Sequence, residues 1–180
     1  EIAQCLVGSE MCIRDRVKPD NEHIINAEIV ASSSDLKAGQ AIDRVGVMLS
    51  LNFPAGPELE KLSEKSNAVF KIKPSMKNTD CSLSGVENKC KKMLTENYEK
   101  SDIALFCIDS VIAALDGMYK ALMPKYGALP VVFSGGVTSN KRIKNYFHDK
   151  YNAVFAEPAF SADNAAGTAV LSSIMYDRRK

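Results

Sequence analysis

The sequence has 180 residues, 46% of them hydrophobic and 25% charged, a balance that excludes wholesale disorder and allows one sizeable core. Lys plus Arg number 23 against 22 Asp plus Glu; a formal net charge of +1 excludes a polyanion-binding surface argued from composition, so nucleic acid would have to be bound locally. No apolar run reaches the roughly 18 residues of a membrane helix, and Cys5, Cys12, Cys81, Cys90 and Cys107 form no Cys-x-x-Cys pair, which argues against a zinc ribbon or disulfide framework and for a soluble protein of a reducing cytoplasm.

Residues 1–16, EIAQCLVGSEMCIRDR, show neither strand alternation nor a helical stripe, and VGSEMCIRDR resembles translated adaptor sequence. They are expected to be a non-native or disordered extension that packs poorly, with the folded portion spanning residues 17–180. IINAEIVAS then reads as β-rich. In SDLKAGQAIDRVGVMLSL, Ala38, Ala41, Ile42, Val45, Met48 and Leu49 recur at helical spacing, with Asp35 placed to cap the helix. NFPAGPELEKLSEKS supplies a Pro/Gly turn in which Pro57 fits the first turn of a second helix, with Leu59 and Leu62 on one face. VFKIK predicts a short strand ending at Pro74.

SLSGVENKCKKMLTEN places Val86, Cys90, Met93 and Asn97 along one side of a helix, its lysines forming a solvated face. SDIALFCIDSVIAALDGMYKALM is apolar around most of its circumference and predicts a central buried helix capped by Ser101 or Asp102. LPVVFSGGVTSNKRIKNYF predicts a strand, a Gly-Gly turn and a helix; AVFAEP predicts another strand, and DNAAGTAVLSSIMYD a last helix. No internal repeat or low-complexity tract appears.

Three places could carry chemistry. The strand ending in Ser134-Gly135-Gly136 brings bare backbone to a strand's carboxyl end, where a ribose or phosphate could approach and the free N–H groups of the next helix would favour an anion; a plain tight turn explains the same residues. Asp163, before the last helix, could cap it or ligate a cation, and local spacing alone favours capping, since one carboxylate holds no metal and the only histidines, His23 and His148, are far apart. Asp43, on an otherwise apolar helix, could accept bonds from ligand hydroxyls or pair with a neighbouring cation, while Gly56 and Glu60 follow in the PAGP turn and its helix.

The ordered set SDLKAGQAIDRVGVMLSLNFPAGPELEKL, SLSG, SGGVTSN and EPAFSADNAAG resembles the carboxyl half of the TsaD family, formerly called O-sialoglycoprotein endopeptidases, over roughly residues 35–175. The resemblance implies an α/β lobe of the actin/Hsp70-like ATPase (ASKHA) superfamily, a mixed sheet flanked by helices, with residues 17–180 as the carboxyl-terminal portion of that domain and most of the amino lobe missing. It implies transfer of a threonylcarbamoyl group from its adenylate to adenosine in tRNA. The family's ligand contacts map onto Asp43, Gly56, Glu60 and Asn140, with Gly135 and Gly136 admitting the nucleoside, and its metal-binding aspartate maps onto Asp163, which would hold iron or zinc. It also implies tRNA and a TsaB-like or same-family subunit as partners of the whole protein.

The sequence departs from the family pattern in several places. The family's His-x-x-x-His metal ligands have no counterpart here; the turn reads Pro-Ala-Gly rather than Pro-Gly-Gly, and the Phe-Ser-Phe-Ser-Gly signature reads CSLSG. The rival readings are a non-catalytic paralogue or partner-binding subunit, and another nucleotide-binding phosphotransferase or hydrolase on the same superfold. A peptidase fits least, because two isolated histidines assemble no nucleophile–base pair.

Overall fold

The computed structural model describes residues 5–8, 14–20, 24–157 and 165–178. Among them run the strands β1 (Cys5–Gly8), β2 (Arg14–Asp20), β3 (Ile24–Ala31), β4 (Ser75–Lys77), β5 (Asp80–Ser82), β6 (Val131–Phe133) and β7 (Val154–Phe155). The helices are α1 (Ala38–Met48), α2 (Gly56–Ser63), α3 (Ser84–Thr95), α4 (Lys100–Tyr126), α5 (Lys141–Tyr151) and α6 (Ala165–Arg178), with a single 3-10 turn at Gly136–Ser139. Five strands form one sheet in the order β3-β2-β1-β6-β7, and β4 and β5 form a separate hairpin. β1 runs antiparallel to β2 and parallel to β6, so the sheet is mixed, as expected.

The core is built on α4. Its 27 residues are apolar on nearly every side, and Ile103, Leu105, Ile108, Val111, Leu115, Met118 and Leu122 are all buried. A helix buried on all sides needs no strong amphipathic stripe, only neighbours on every face. α1 contributes Ala38, Ala41, Ile42 and Val45, and α3 contributes Val86, Cys90 and Met93, the stripes visible in the sequence. Phe133 of β6 and Phe147 of α5 close the opposite side with their ring centroids 4.8 Å apart. Cys81, Cys90 and Cys107 are buried and lie in no disulfide.

Several local expectations are corrected. Residues 5–8 and 14–16, read from sequence as lying outside the fold, are strands: β1 is the middle strand of the sheet, and Arg14 is buried with its guanidinium 4.7 Å from the centre of the Phe133 ring. Four residues are too few to display alternation, and it is the partners β2 and β6 that hold CLVG extended. VFKIK joins no sheet; only the three residues after Pro74 find a partner. Neither Ser101 nor Asp102 caps α4, which starts after Glu99, and Asp102 instead accepts the Ser66 hydroxyl. Asn97 lies beyond the end of α3 with φ 60°, a left-handed stop that asparagine tolerates.

Asp35 does not cap α1, whose N-cap is Lys37. Its carboxylate crosses to the start of α3, accepting the Ser82 hydroxyl at 2.6 Å and the Leu83 and Ser84 amides at 2.8 and 3.3 Å. Desolvation works to raise its pKa, but the hydrogen bonds from Ser82, Ser84, Leu83 and Leu36 outweigh it and hold Asp35 well below the usual carboxylate range. A depressed folded pKa gives stability that is present above the unfolded-state value and is lost as pH falls towards the folded one. Asp35→Asn is therefore expected to cost about 1 kcal/mol at neutral pH, the scale of a lost helix cap. In urea melts the gap between variant and parent should narrow as pH falls below about 4; a gap that stays constant with pH overturns the assignment.

Close approach between α1 and the chain entering α2 depends on Gly46. A Cβ placed there would stand 2.1 Å from the Cβ of Ala55, which is itself fully buried. Gly46→Ala must displace Ala55, with a cost expected at about 1–3 kcal/mol by overpacking and read as a lower urea midpoint at unchanged slope.

Candidate functional site

A cavity of about 570 Å³ opens between the α1 surface, the first turn of α2 and the segment joining β6 to α5, with Ile108 of α4 among its lining residues. α1 lends Asp43 to its wall, with Gln40 one turn earlier; α2 lends Gly56 and, four residues on, Glu60; the 3-10 turn and the α5 cap lend Gly136 and Asn140. Five of the six sequence-predicted ligand residues thus share one cavity although they span nearly 100 positions. Gly135 does not line it. With φ 105° and ψ 160°, a backbone state open to glycine, Gly135 turns the chain from β6 into the 3-10 turn, and its carbonyl accepts the Thr138 hydroxyl at 2.8 Å.

Each polar site residue also holds the backbone. Asp43 Oδ1 accepts the Ala55 amide at 2.8 Å, Glu60 Oε1 accepts the Lys141 amide at 2.7 Å, and Asn140 Oδ1 accepts the Ile143 amide at 3.1 Å as the N-cap of α5. Among the described residues, the second oxygens of Asp43 and Glu60 and the Asn140 amide nitrogen have no hydrogen-bond partner. These three residues therefore present two acceptors and one donor in fixed positions.

This arrangement corrects one expectation. The helix after the Gly-Gly turn could favour an anion by its free amides, yet Glu60 already places a carboxylate on the Lys141 amide, where the helix dipole favours it. That wall suits a hydroxyl-bearing group, not a phosphate. Gly56 and Gly136 are bare in the sense the sequence suggested: a Cβ at either meets no atom within 4 Å, so both face open space that a ligand could enter.

Sequence reasoning missed Lys37, the one cation among the described lining residues, together with Gln40 and Ser139. Lys37 lies just ahead of the apolar stripe of α1, and no spacing rule sets it apart from a solvated lysine. Asp163 lies outside the described residues, as does His23. His148 is exposed, with Nδ1 3.3 Å from Asp149. Among the described residues no group of three His, Cys, Asp or Glu side chains could hold a metal, and no helix is long and apolar enough to cross a membrane.

Known proteins share this arrangement of chain. Among solved structures, component A of the (R)-2-hydroxyglutaryl-CoA dehydratase of Acidaminococcus fermentans superposes with a TM-score of 0.60 at 16% identity, over 96% of this chain and 61% of that one. The activator of the 2-hydroxyisocaproyl-CoA dehydratase of Clostridium difficile, solved with bound ADPNP, gives 0.59 at 17% identity, over 99% and 63%. These likenesses show the fold alone: the chain shares its mixed α/β lobe with both proteins. In sequence, the tRNA N6-adenosine threonylcarbamoyltransferase of Buchnera aphidicola is 33% identical over 83% of this chain and 48% of its own length. That of Kosmotoga olearia is 28% identical over 86% and 49%, so the chain spans about half the length of the curated relatives it matches. The family model described as TsaD, tRNA N6-adenosine threonylcarbamoyltransferase, matches residues 21–170, and the chain belongs to that family.

Proposed function

We propose that this chain is the nucleoside-holding carboxyl lobe of a tRNA threonylcarbamoyladenosine transferase, and that its cavity binds threonylcarbamoyl-adenylate or an adenine nucleotide. The observation that carries the reading is the convergence of Asp43, Gly56, Glu60, Gly136 and Asn140 on one cavity. Chance would not bring Asp43, Gly56 and Glu60 of one motif to the same cavity as Gly136 and Asn140 of another, more than 70 positions on. The second oxygens of Asp43 and Glu60 accept the ribose hydroxyls, Gly56 and Gly136 let the nucleoside lie against the backbone, and the Asn140 amide donates to the acyl portion. Lys37 supplies positive charge for the adenylate phosphate.

Catalysis by such a lobe is positioning: the electrophilic carbamoyl carbon is held where the adenosine amine of the tRNA can reach it. No described cavity residue is placed as a covalent nucleophile. The described residues do not by themselves fit a divalent metal, because they hold no three-ligand group. Asp163 would contribute one ligand to iron or zinc, and the others would have to come from elsewhere; no step is derived through the ion. The complete protein would act on tRNA in the cytoplasm beside a TsaB-like or same-family subunit.

Glycine substitutions test the cavity without touching a backbone-holding side chain. Gly136→Val points its side chain into open space, so thermal stability should stay within about 0.5 kcal/mol, as for surface changes. ATP and adenylate affinity by calorimetry should fall at least about tenfold, the effect of filling a site the ligand must enter. Unchanged affinity means that the nucleoside binds elsewhere. The reaction itself is tested by supplying unmodified tRNA and threonylcarbamoyl-adenylate to the complete protein and measuring threonylcarbamoyladenosine by nucleoside mass spectrometry. Nucleotide binding without product would favour the non-catalytic paralogue, and ATP turnover without tRNA would favour a hydrolase.

A further inference from the structure

From Ser66 to Lys77 the chain alternates without a break between half-buried even-numbered and exposed odd-numbered residues, the period of a strand. The even residues lie on α4: Phe70 meets Phe106 edge-on with centroids 5.3 Å apart, and Pro74 and Met76 pack where Gly117 leaves room, since a Cβ there would stand 3.2 and 2.9 Å from them. Only Ser75–Lys77 has a ladder partner, β5. Among the described residues, the backbone N–H and C=O groups of Val69 to Lys73 make no hydrogen bond at all. Five successive unpaired residues with strand periodicity form an edge that can template another strand.

Beside this edge lies a groove of about 970 Å³, distinct from the nucleoside cavity, with Ile112 and Ala113 of α4 along it and Arg142 and Tyr146 of α5 on its far side. The charges facing it are largely matched within the protein: Arg142 pairs with Asp109 and Lys120 with Asp116. What remains for a partner inside the groove is the apolar surface of Ile112 and Ala113 with Glu64 and Lys141, one charge of each sign, and, on the exposed face of the edge, Lys71, Lys73 and Lys77, all of one sign.

We propose that this groove is a strand-addition site for an extended segment of a partner protein in which apolar and acidic side chains alternate. Pairing with Val69 to Lys73 satisfies the idle backbone groups. The two-residue period then directs apolar side chains over Ile112 and Ala113 and places acidic ones on the outer face beside Lys71 and Lys73, where cross-strand neighbours of opposite charge attract. A helical partner would leave the same backbone groups unpaired.

The test uses blocked peptides of alternating Val and Glu, alternating Val and Lys, and the acidic peptide with proline at alternate positions, followed by fluorescence anisotropy and by amide hydrogen exchange on the full chain. The Val/Glu peptide is expected to bind and to slow exchange at Val69 to Lys73; the Val/Lys and proline peptides should bind at least about tenfold more weakly. The double variant K71E/K73E, altered only at exposed positions, should keep the parent's melting temperature and prefer the Val/Lys peptide. Absence of slowed exchange with millimolar Val/Glu peptide overturns the proposal, as does equal binding of the proline peptide. Protection of the same amides by raised protein concentration alone would assign the edge to a second copy of this chain and overturn the peptide assignment.

Discussion

Three helix starts in this protein, those of α2, α3 and α5, are tied to carboxylates from elsewhere in the sequence. An α-helix leaves its first amides without intrahelical acceptors, and a buried amide left unpaired costs about as much as a lost hydrogen bond. Asp35 satisfies two amides at the entry to α3, 48 and 49 residues on; Asp43 takes the Ala55 amide at the entry to α2; Glu60 takes the Lys141 amide at the entry to α5, 81 residues away. Each bond is a long-range tie made by a charged acceptor, stronger than a neutral one. The three ties join α3 to the segment that enters α1, α2 to α1, and α5 to α2. The cavity wall follows from those ties.

Two of these ties belong to the site. Asp43 and Glu60 each use one oxygen for the fold and keep one for a ligand, and Asn140 divides its amide in the same way. Shared duty brings preorganisation, because a group already locked by a backbone bond loses little freedom when a ligand binds. It also complicates mutagenesis. Removing the Asp43 carboxylate would strand the Ala55 amide as well as a ligand hydroxyl, so lost affinity could not be assigned to either contact alone. Glycines that face open space carry no such double duty.

What was legible in the sequence follows from the same physics. The stripes of α1 and α3 could be read because burial by periodicity is a local property, and Ala41, Val45, Val86 and Cys90 lie inside as their spacing demands. The site residues could be brought together only through resemblance, since nothing local to Glu60 announces an amide 81 residues away. β1 was illegible because four residues carry too little pattern, and its extended state is imposed by β2 and β6. Spacing places Asp35 at the nearer helix because a local cap is the default expectation, whereas the fold brings it to α3. VFKIK has the alternation of a strand and the burial to match, but the strand it would pair with is absent among the described residues, so periodicity was right about the side chains and wrong about the ladder.

The position of α5 shows how a surface network can set the geometry of a site. Beyond the Asn140 cap and the Glu60 tie, Arg142 reaches Asp109 through two nitrogens, and Lys150 reaches Asp116 at 2.9 Å. Asp109 and Asp116 are seven residues apart on α4, two turns along one face, while Arg142 and Lys150 are eight apart on α5, so the pairs bracket the contact between the helices. Asp116 is buried, and desolvation works to raise its pKa, but hydrogen bonds from Lys120, Tyr151 and Lys150 prevail and keep it ionised, below the usual carboxylate range. These three donors offset the cost of burying that charge. Sliding α5 by a turn would break both brackets at once and carry Asn140 away from Glu60, so the register that pairs these charges is also the one that closes the cavity wall.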